Sequence, residues 1–140
     1  MTIIASRHQD IDTGHRVPEQ GGACERLHGH SYRTHFHCAR GSELNAIGMV
    51  LDFGVMKTHL CEWLLTHWDH RMLIWEEDPF LPGLQQVSLE SIVVVPFRPT
   101  AENMARYLLE VVGPQQLAGT GVQLVSVTVE ETRKCQATAS

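Results

Sequence analysis

Apolar and polar positions alternate most clearly from Ser31 to Arg40, where Tyr32, Thr34, Phe36 and Cys38 are interleaved with Arg33, His35, His37 and Ala39. That period of two predicts a strand with one face on the core. A second clear row lies in Val122 to Glu131, where Val125, Val127 and Val129 share a face and Glu131 comes next on it. Weaker alternation in Thr2 to Asp12 predicts a first strand, Ile47 to Leu51 a short one after the Gly41-Ser42 turn, and the β-branched run Ser91 to Phe97 a buried one. Helical spacing appears twice. Asp52 can cap a helix in which Phe53, Met56, Leu60, Cys61, Leu64 and Leu65 recur, ending near Trp68. Pro99-Thr100 opens the second, with Thr100 as cap, Glu102 favourable to the dipole and Gly113-Pro114 as its stop. Arg16 to Glu25 reads as a loop, and Asp78 to Gly83, with Pro79 and Pro82, as irregular. An α+β domain follows, its antiparallel sheet laying an apolar face on two helices.

At 140 residues the chain is expected to form a single domain, 1–140, burying about 70% of its unfolded surface without disulfide or metal staples. A net charge of −5 argues against general attraction to nucleic acid or to an anionic membrane, so an anionic small substrate would need a local basic pocket. No run approaches the ~20 apolar residues of a membrane helix, and Met1 to Asp10 lacks a secretory core. The expectation is a cytosolic protein whose four cysteines are thiols. The outlier is histidine, nine in the chain, which asks for metal or acid–base chemistry.

His28-Gly29-His30 is the first chemical signal, because residues i and i+2 of an extended segment point the same way and two imidazoles can reach one ion. Nine histidines give about half an H-x-H pair by chance, and His35-Phe36-His37 is a second, so spacing alone does not choose. Context favours the first, where a loop enters a strand and the glycine removes bulk beside the ion; His35 and His37 read as a strand face. An open zinc site wants a third ligand, and His15, at the end of the first strand region, is the best offer against the plainer reading of a surface histidine. Cys24 is either a fourth ligand of a closed site or a thiol beside an open one, where a nearby cation would make it a capable base. Cys38 and Cys61 fall on core positions, and Cys135 has no evident role. Asp69-His70 is the natural acid–base pair, with His67 as a rival helical partner for a metal. Glu131 is either drawn inward with its row, where it must find donors, or left in water at a frayed strand end.

In order along the chain, Cys24-x-x-x-His28-Gly29-His30-Ser31-Tyr32, Gly48-Met49-Val50-Leu51-Asp52-Phe53, Asp69-His70-Arg71, Pro99-Thr100-Ala101-Glu102-Asn103 and Glu130-Glu131-Thr132 together resemble the 6-pyruvoyl-tetrahydropterin synthase family. A cysteine four places before the first histidine is similar to the bacterial 6-carboxy-tetrahydropterin synthase branch of the queuosine and 7-deazapurine routes; the pyruvoyl-forming branch places it further upstream. The resemblance implies a tunnelling (T-) fold, a four-stranded antiparallel sheet on two helices, assembling into a barrel as a homohexamer with active sites at subunit interfaces. It further implies Zn2+ on His15, His28 and His30, proton abstraction by Cys24, a relay through His70 held by Asp69, pterin anchoring by Glu131, and a pocket lined near Thr100. Cys24 and the Asp69-His70 pair would then come from different subunits. The implied reaction is that of a carbon–oxygen lyase, taking 7,8-dihydroneopterin triphosphate to 6-carboxy-tetrahydropterin, acetaldehyde and triphosphate. Arg16, Arg26, Arg33 and Lys57 are candidates for the triphosphate. The rivals are the pyruvoyl-forming activity and a non-catalytic zinc-binding module. The chain departs from the family pattern at Ile11-Asp12-Thr13-Gly14, at Leu73-Ile74 and at Ala139.

Overall fold

Two long strands, β1 (Ala5–His15) and β2 (His28–Arg40), form an antiparallel ladder that runs from Ala5 opposite Cys38 to His15 opposite His28. The computed structural model describes all 140 residues. Alternation along both strands is what the sequence requires. Ile11 and Thr13 on β1, with Tyr32, Thr34, Phe36 and Cys38 on β2, are buried on one face. Register puts His15, His28 and His30 on this same face, at the open end of the ladder.

The sheet has six strands, in the order β4-β3-β1-β2-β5-β6, rather than four. It is also mixed. β3 (Met72–Trp75) runs parallel to β1 at Gly14 and His15, and β4 (Ile92–Val95) runs parallel to β3. β4 is an edge strand, with Val94 exposed, and not the buried strand its β-branched run predicts. On the other side, β5 (Val122–Glu130) pairs with β2, and β6 (Gln136–Ala139) closes back on β5. A bulge between His37 and Cys38 skips Val125, so Val127 and Val129 enter the core without it.

Two helical runs cover the apolar face. The first comprises α1 (Phe53–Met56), a π-helical turn (Lys57–Cys61) and α2 (Glu62–His67). Asp52 caps it as expected, its Oδ1 accepting the Gly54 N–H at 2.6 Å. Met56, Leu60, Cys61, Leu64 and Trp68 pack from it onto the sheet. Each fully buried large apolar side chain stabilises the fold by about 1.5–3 kcal/mol. Between β3 and β4 lies a short helix, α3 (Leu81–Val87), where Pro79 and Pro82 had suggested none; Pro82 occupies its first turn, where its missing N–H costs nothing. The second run is α4 (Ala101–Tyr107), a π-helical turn (Leu108–Val112) and α5 (Gly113–Gln116). Gly113-Pro114 does not stop it. The wider turn frees the carbonyls that a proline would clash with in a regular ladder.

Ile47 to Leu51 is not a strand. The Asn45 side chain accepts the N–H groups of Ile47 and Met49 at 3.1 and 2.9 Å, and Gly48 takes φ +85°. A side-chain-stapled turn therefore occupies the segment, leaving Ile47 in solvent.

Candidate active site

His15, His28 and His30 converge. Their ligand atoms all lie within 4.8 Å of one another, and the two Nε2 atoms of His15 and His28 stand 3.1 Å apart. The chain sets the tautomers. His15 Nδ1–H donates to the Pro99 carbonyl and His28 Nδ1–H to that of Arg26, each at 2.6 Å, which leaves both Nε2 lone pairs bare and facing each other. His30 Nε2 is buried with no partner. Burial pushes the His15 and His30 imidazoles below their ordinary value, which favours their neutral forms. Three inward lone pairs repel unless a cation lies among them, and neutral imidazoles held by backbone carbonyls are ligands that suit a divalent transition metal. The residues fit the metal that the resemblance implies.

Gly29 does not clear space beside that centre. It faces the other side of the sheet, where an added Cβ would stand 3.1 Å from the Thr13 carbonyl and 3.5 Å from Gly14 Cα. Its partner Gly14 is pressed as closely by Met72, whose Sδ would lie 2.6 Å from a Cβ there. The glycines serve close packing of strands.

Glu131 turns inward, as its place in the row predicts. Its Oε1 lies 3.6 Å from Nε2 of both His15 and His30. The buried Tyr32 hydroxyl stands 3.3 Å from the His15 ring. Burial holds that phenol protonated, and the charge of Glu131 adds to the effect. Cys24 is half-buried in a short turn, Ala23–Glu25, and its carbonyl accepts the Val17 N–H at 2.8 Å. Thr100 caps α4 through the Asn103 N–H at 3.1 Å, and the Pro99 carbonyl before it anchors His15. The Thr100 region therefore borders the imidazoles.

Asp69 and His70 are joined as expected, Asp69 Oδ2 to His70 Nδ1 at 2.9 Å. The pair stands at the edge of β1, however. Asp69 Oδ1 accepts the Asp12 N–H at 2.9 Å, and the Asp12 carbonyl accepts the His70 N–H at 2.7 Å. His70 is 76% exposed, and its bond to Asp69 raises the imidazole above its ordinary value. Within the chain the pair makes no bond to Cys24. His67 is no rival, since its ring stacks on Trp63 and its Nδ1 donates to the Trp63 carbonyl at 2.8 Å.

Of the candidate cations, Arg16 is buried against Asp78, Nε to Oδ2 at 2.9 Å, with its guanidinium 3.7 Å from the Phe80 ring centroid. Arg33 is held bidentately by Asp10 at 2.8 and 3.0 Å. Arg26 and Lys57 make no ion pair and stay available. Sequence reasoning missed Tyr32 as a wall of the cluster, Asp12 as the clamp on Asp69-His70, and Arg98, which holds Glu19 of the Cys24 loop at 2.9 Å while lying 4.1 Å over the Trp75 ring. Tyr32 was readable as an inward residue beside His30; Asp12 and Arg98 carried no signal, since their partners are 57 and 79 positions away.

This fold and this cluster define a T-fold protein with three imidazoles, able to hold a metal ion, gathered at the open end of its longest ladder. The family model for 6-pyruvoyl tetrahydropterin synthase matches residues 4–140, and the chain belongs to that family. It is 28% identical over 134 residues to a 6-carboxy-5,6,7,8-tetrahydropterin synthase of Rickettsia conorii, covering 95% of this chain and 96% of the relative. A Halobacterium salinarum protein described as a "Probable 6-carboxy-5,6,7,8-tetrahydropterin synthase" is 34% identical over 123 residues, covering 87% of this chain and 76% of the relative. Among solved structures, an uncharacterized protein from Wolinella succinogenes superposes with a TM-score of 0.86 at 27% identity, covering 99% of this chain and 98% of that one. The 6-pyruvoyl tetrahydropterin synthase of Caenorhabditis elegans shares the fold, with a TM-score of 0.72 at 22% identity over 100% of this chain and 96% of that one. No helix is long and apolar enough to cross a membrane.

Proposed function

We propose that this chain is a zinc-dependent 6-carboxy-tetrahydropterin synthase that converts 7,8-dihydroneopterin triphosphate and one water to 6-carboxy-tetrahydropterin, acetaldehyde and triphosphate, as one catalytic domain working in the cytosol for 7-deazapurine or queuosine synthesis. The observation that carries the reading is the meeting of three imidazoles, on His15, His28 and His30, with the Glu131 carboxylate beside them.

When bound, the zinc ion supplies Lewis-acid polarisation of the substrate's side-chain oxygens. The rest is the work of side chains. Cys24 is the base that takes the proton from the substrate's side-chain carbon. His70, held by Asp69, carries protons to and from the reacting face. Glu131 accepts from the pterin ring edge and fixes which C–H meets the sulfur. The Thr100 region closes the ring pocket beside His15. Arg26 and Lys57 are the cations left to meet the triphosphate.

The site is shared between subunits of a homohexamer. Support for this comes from the separation within one chain: Asp69 and His70 bond each other and the Asp12 backbone at the strand edge and make no bond to Cys24, whose carbonyl holds the Val17 N–H instead.

Product mass after incubation of the zinc-loaded protein with 7,8-dihydroneopterin triphosphate tests the reading. Release of 6-carboxy-tetrahydropterin with acetaldehyde supports it. A 6-pyruvoyl product would reassign the chain to the other branch, and no turnover with a protein-saturated zinc would make it a binding module.

A further inference from the structure

Asp12 lies three residues before His15, but alternation sends its side chain to the opposite face of the sheet. There its Oδ1 accepts the Ser31 hydroxyl at 2.5 Å. Its backbone clamps the acid–base pair from both sides, the N–H on Asp69 Oδ1 at 2.9 Å and the carbonyl under the His70 N–H at 2.7 Å. His70 is thereby kept at φ +59°, a left-handed conformation that costs a side-chain-bearing residue about 1 kcal/mol or more and persists only where neighbours hold it. The carboxylates of Asp12 and Asp69 and the ring of His70 offer polar atoms that all lie within 4.8 Å of one another. They border a cleft of about 510 Å³ that Ser31, Arg71 and Ser91 also line.

We propose that Asp12 is a positioning residue: its carboxylate, locked by Ser31, is the second negative charge beside the His70 imidazole and holds the ring toward the cleft. A single hydrogen bond from Asp69 orients the ring but leaves it free to swing about that bond; a second fixed charge on the strand removes the freedom. Both carboxylates act in one direction on His70, Asp69 first and Asp12 after it. The other titratable groups on the cleft are His30, in the neighbouring strand, and Arg71, next in the chain. The two carboxylates are the charges that favour the protonated ring.

The kinetic consequence rests on the proposed reaction, but the placement of charge does not. The test is the nitrogen-15 titration of the His70 ring, identified by its loss in His70→Gln, in the zinc-loaded full chain. In Asp12→Asn the midpoint moves to lower pH, and Ser31→Ala moves it in the same direction by less. The alkaline limb of kcat shifts with it while zinc content stays at the wild-type level. A His70 midpoint unchanged in Asp12→Asn overturns the inference. Should Asp12→Asn not fold, Ser31→Ala leaves the β1 backbone intact and decides alone, an unchanged midpoint counting against the proposal. A wild-type protein that makes no carboxy-pterin would sink the proposed reaction while the ring titration still reads the role of Asp12.

Discussion

Glu130 and Glu131, adjacent in the chain, are turned to opposite faces of the sheet: Glu130 bonds the His35 ring on the outer face, and Glu131 brings Oε1 to 3.6 Å from Nε2 of both His15 and His30. Glu131→Gln is therefore expected to raise the KM for the pterin roughly 10- to 100-fold, the worth of a charge-assisted hydrogen bond. Zinc content should hold. Glu130→Gln changes the far face and should leave KM alone. Steady-state kinetics with metal analysis of both variants checks this, and equal effects would deny Glu131 its anchoring part.

Cys24→Ala separates base from ligand. Near-stoichiometric zinc with turnover reduced roughly 10²- to 10⁴-fold is expected, the usual range for losing a general base. Zinc lost along with the sulfur would make Cys24 a ligand.

Acid should release the metal and loosen the fold. Burial depresses the His15 and His30 imidazoles, so the folded chain keeps them neutral while the unfolded chain takes up protons below the ordinary value of 6.5. Stability tied to these two groups is thus fully present above that value and is lost as pH falls below it. Urea midpoints of the metal-free protein at about pH 8 and about pH 5 should differ in that direction. A His15→Gln, His30→Gln double variant should flatten the difference.

The four cysteines should divide in two. Cys38 and Cys61 are fully buried, and burial pushes the Cys38 thiol up to about 11 and that of Cys61 in the same direction. Iodoacetamide at neutral pH should mark Cys24 and Cys135 in the native protein and reach Cys38 and Cys61 only after denaturation. In a Cys135→Ser background, loss of activity should track the single remaining modification.

Arg16→Ala should act on stability and not on substrate. Removing the guanidinium leaves the Asp78 carboxylate buried and uncompensated, which costs about 3–5 kcal/mol. Arg26→Ala should raise the KM for the triphosphate substrate with little change in the urea midpoint.

The parts legible in the sequence were those whose cause is local. Ser31 to Arg40 shows its alternation, and Asp52 and Thr100 cap with groups two or three residues away. The HGH pair shared a face by strand geometry alone; His15 was only the best offer for a third member, and the β1–β2 register is what brings it to the pair. What escaped depends on distant partners or on irregular backbone. β3 is four residues long and becomes a strand by lying between β1 and β4. The bulge that removes Val125 from its row lies opposite His37 and Cys38 in another strand. Both π-helical turns break the helical period without any glycine or proline at their centres. Ile47 to Leu51 was misread because Asn45, outside the run, dictates its turn.

The facing glycines of β1 and β2 leave the sheet bare behind the three imidazoles. Gly14 and Gly29 pair directly, and both line the cleft on the far side. One thickness of peptide is then all that divides the three imidazoles from that cleft. Such a thin septum ties the two chambers together: any side chain added to it would crowd Met72 or the Thr13 carbonyl and displace the strand that carries a ligand on its reverse. Drift at these two positions is barred from both rooms at once.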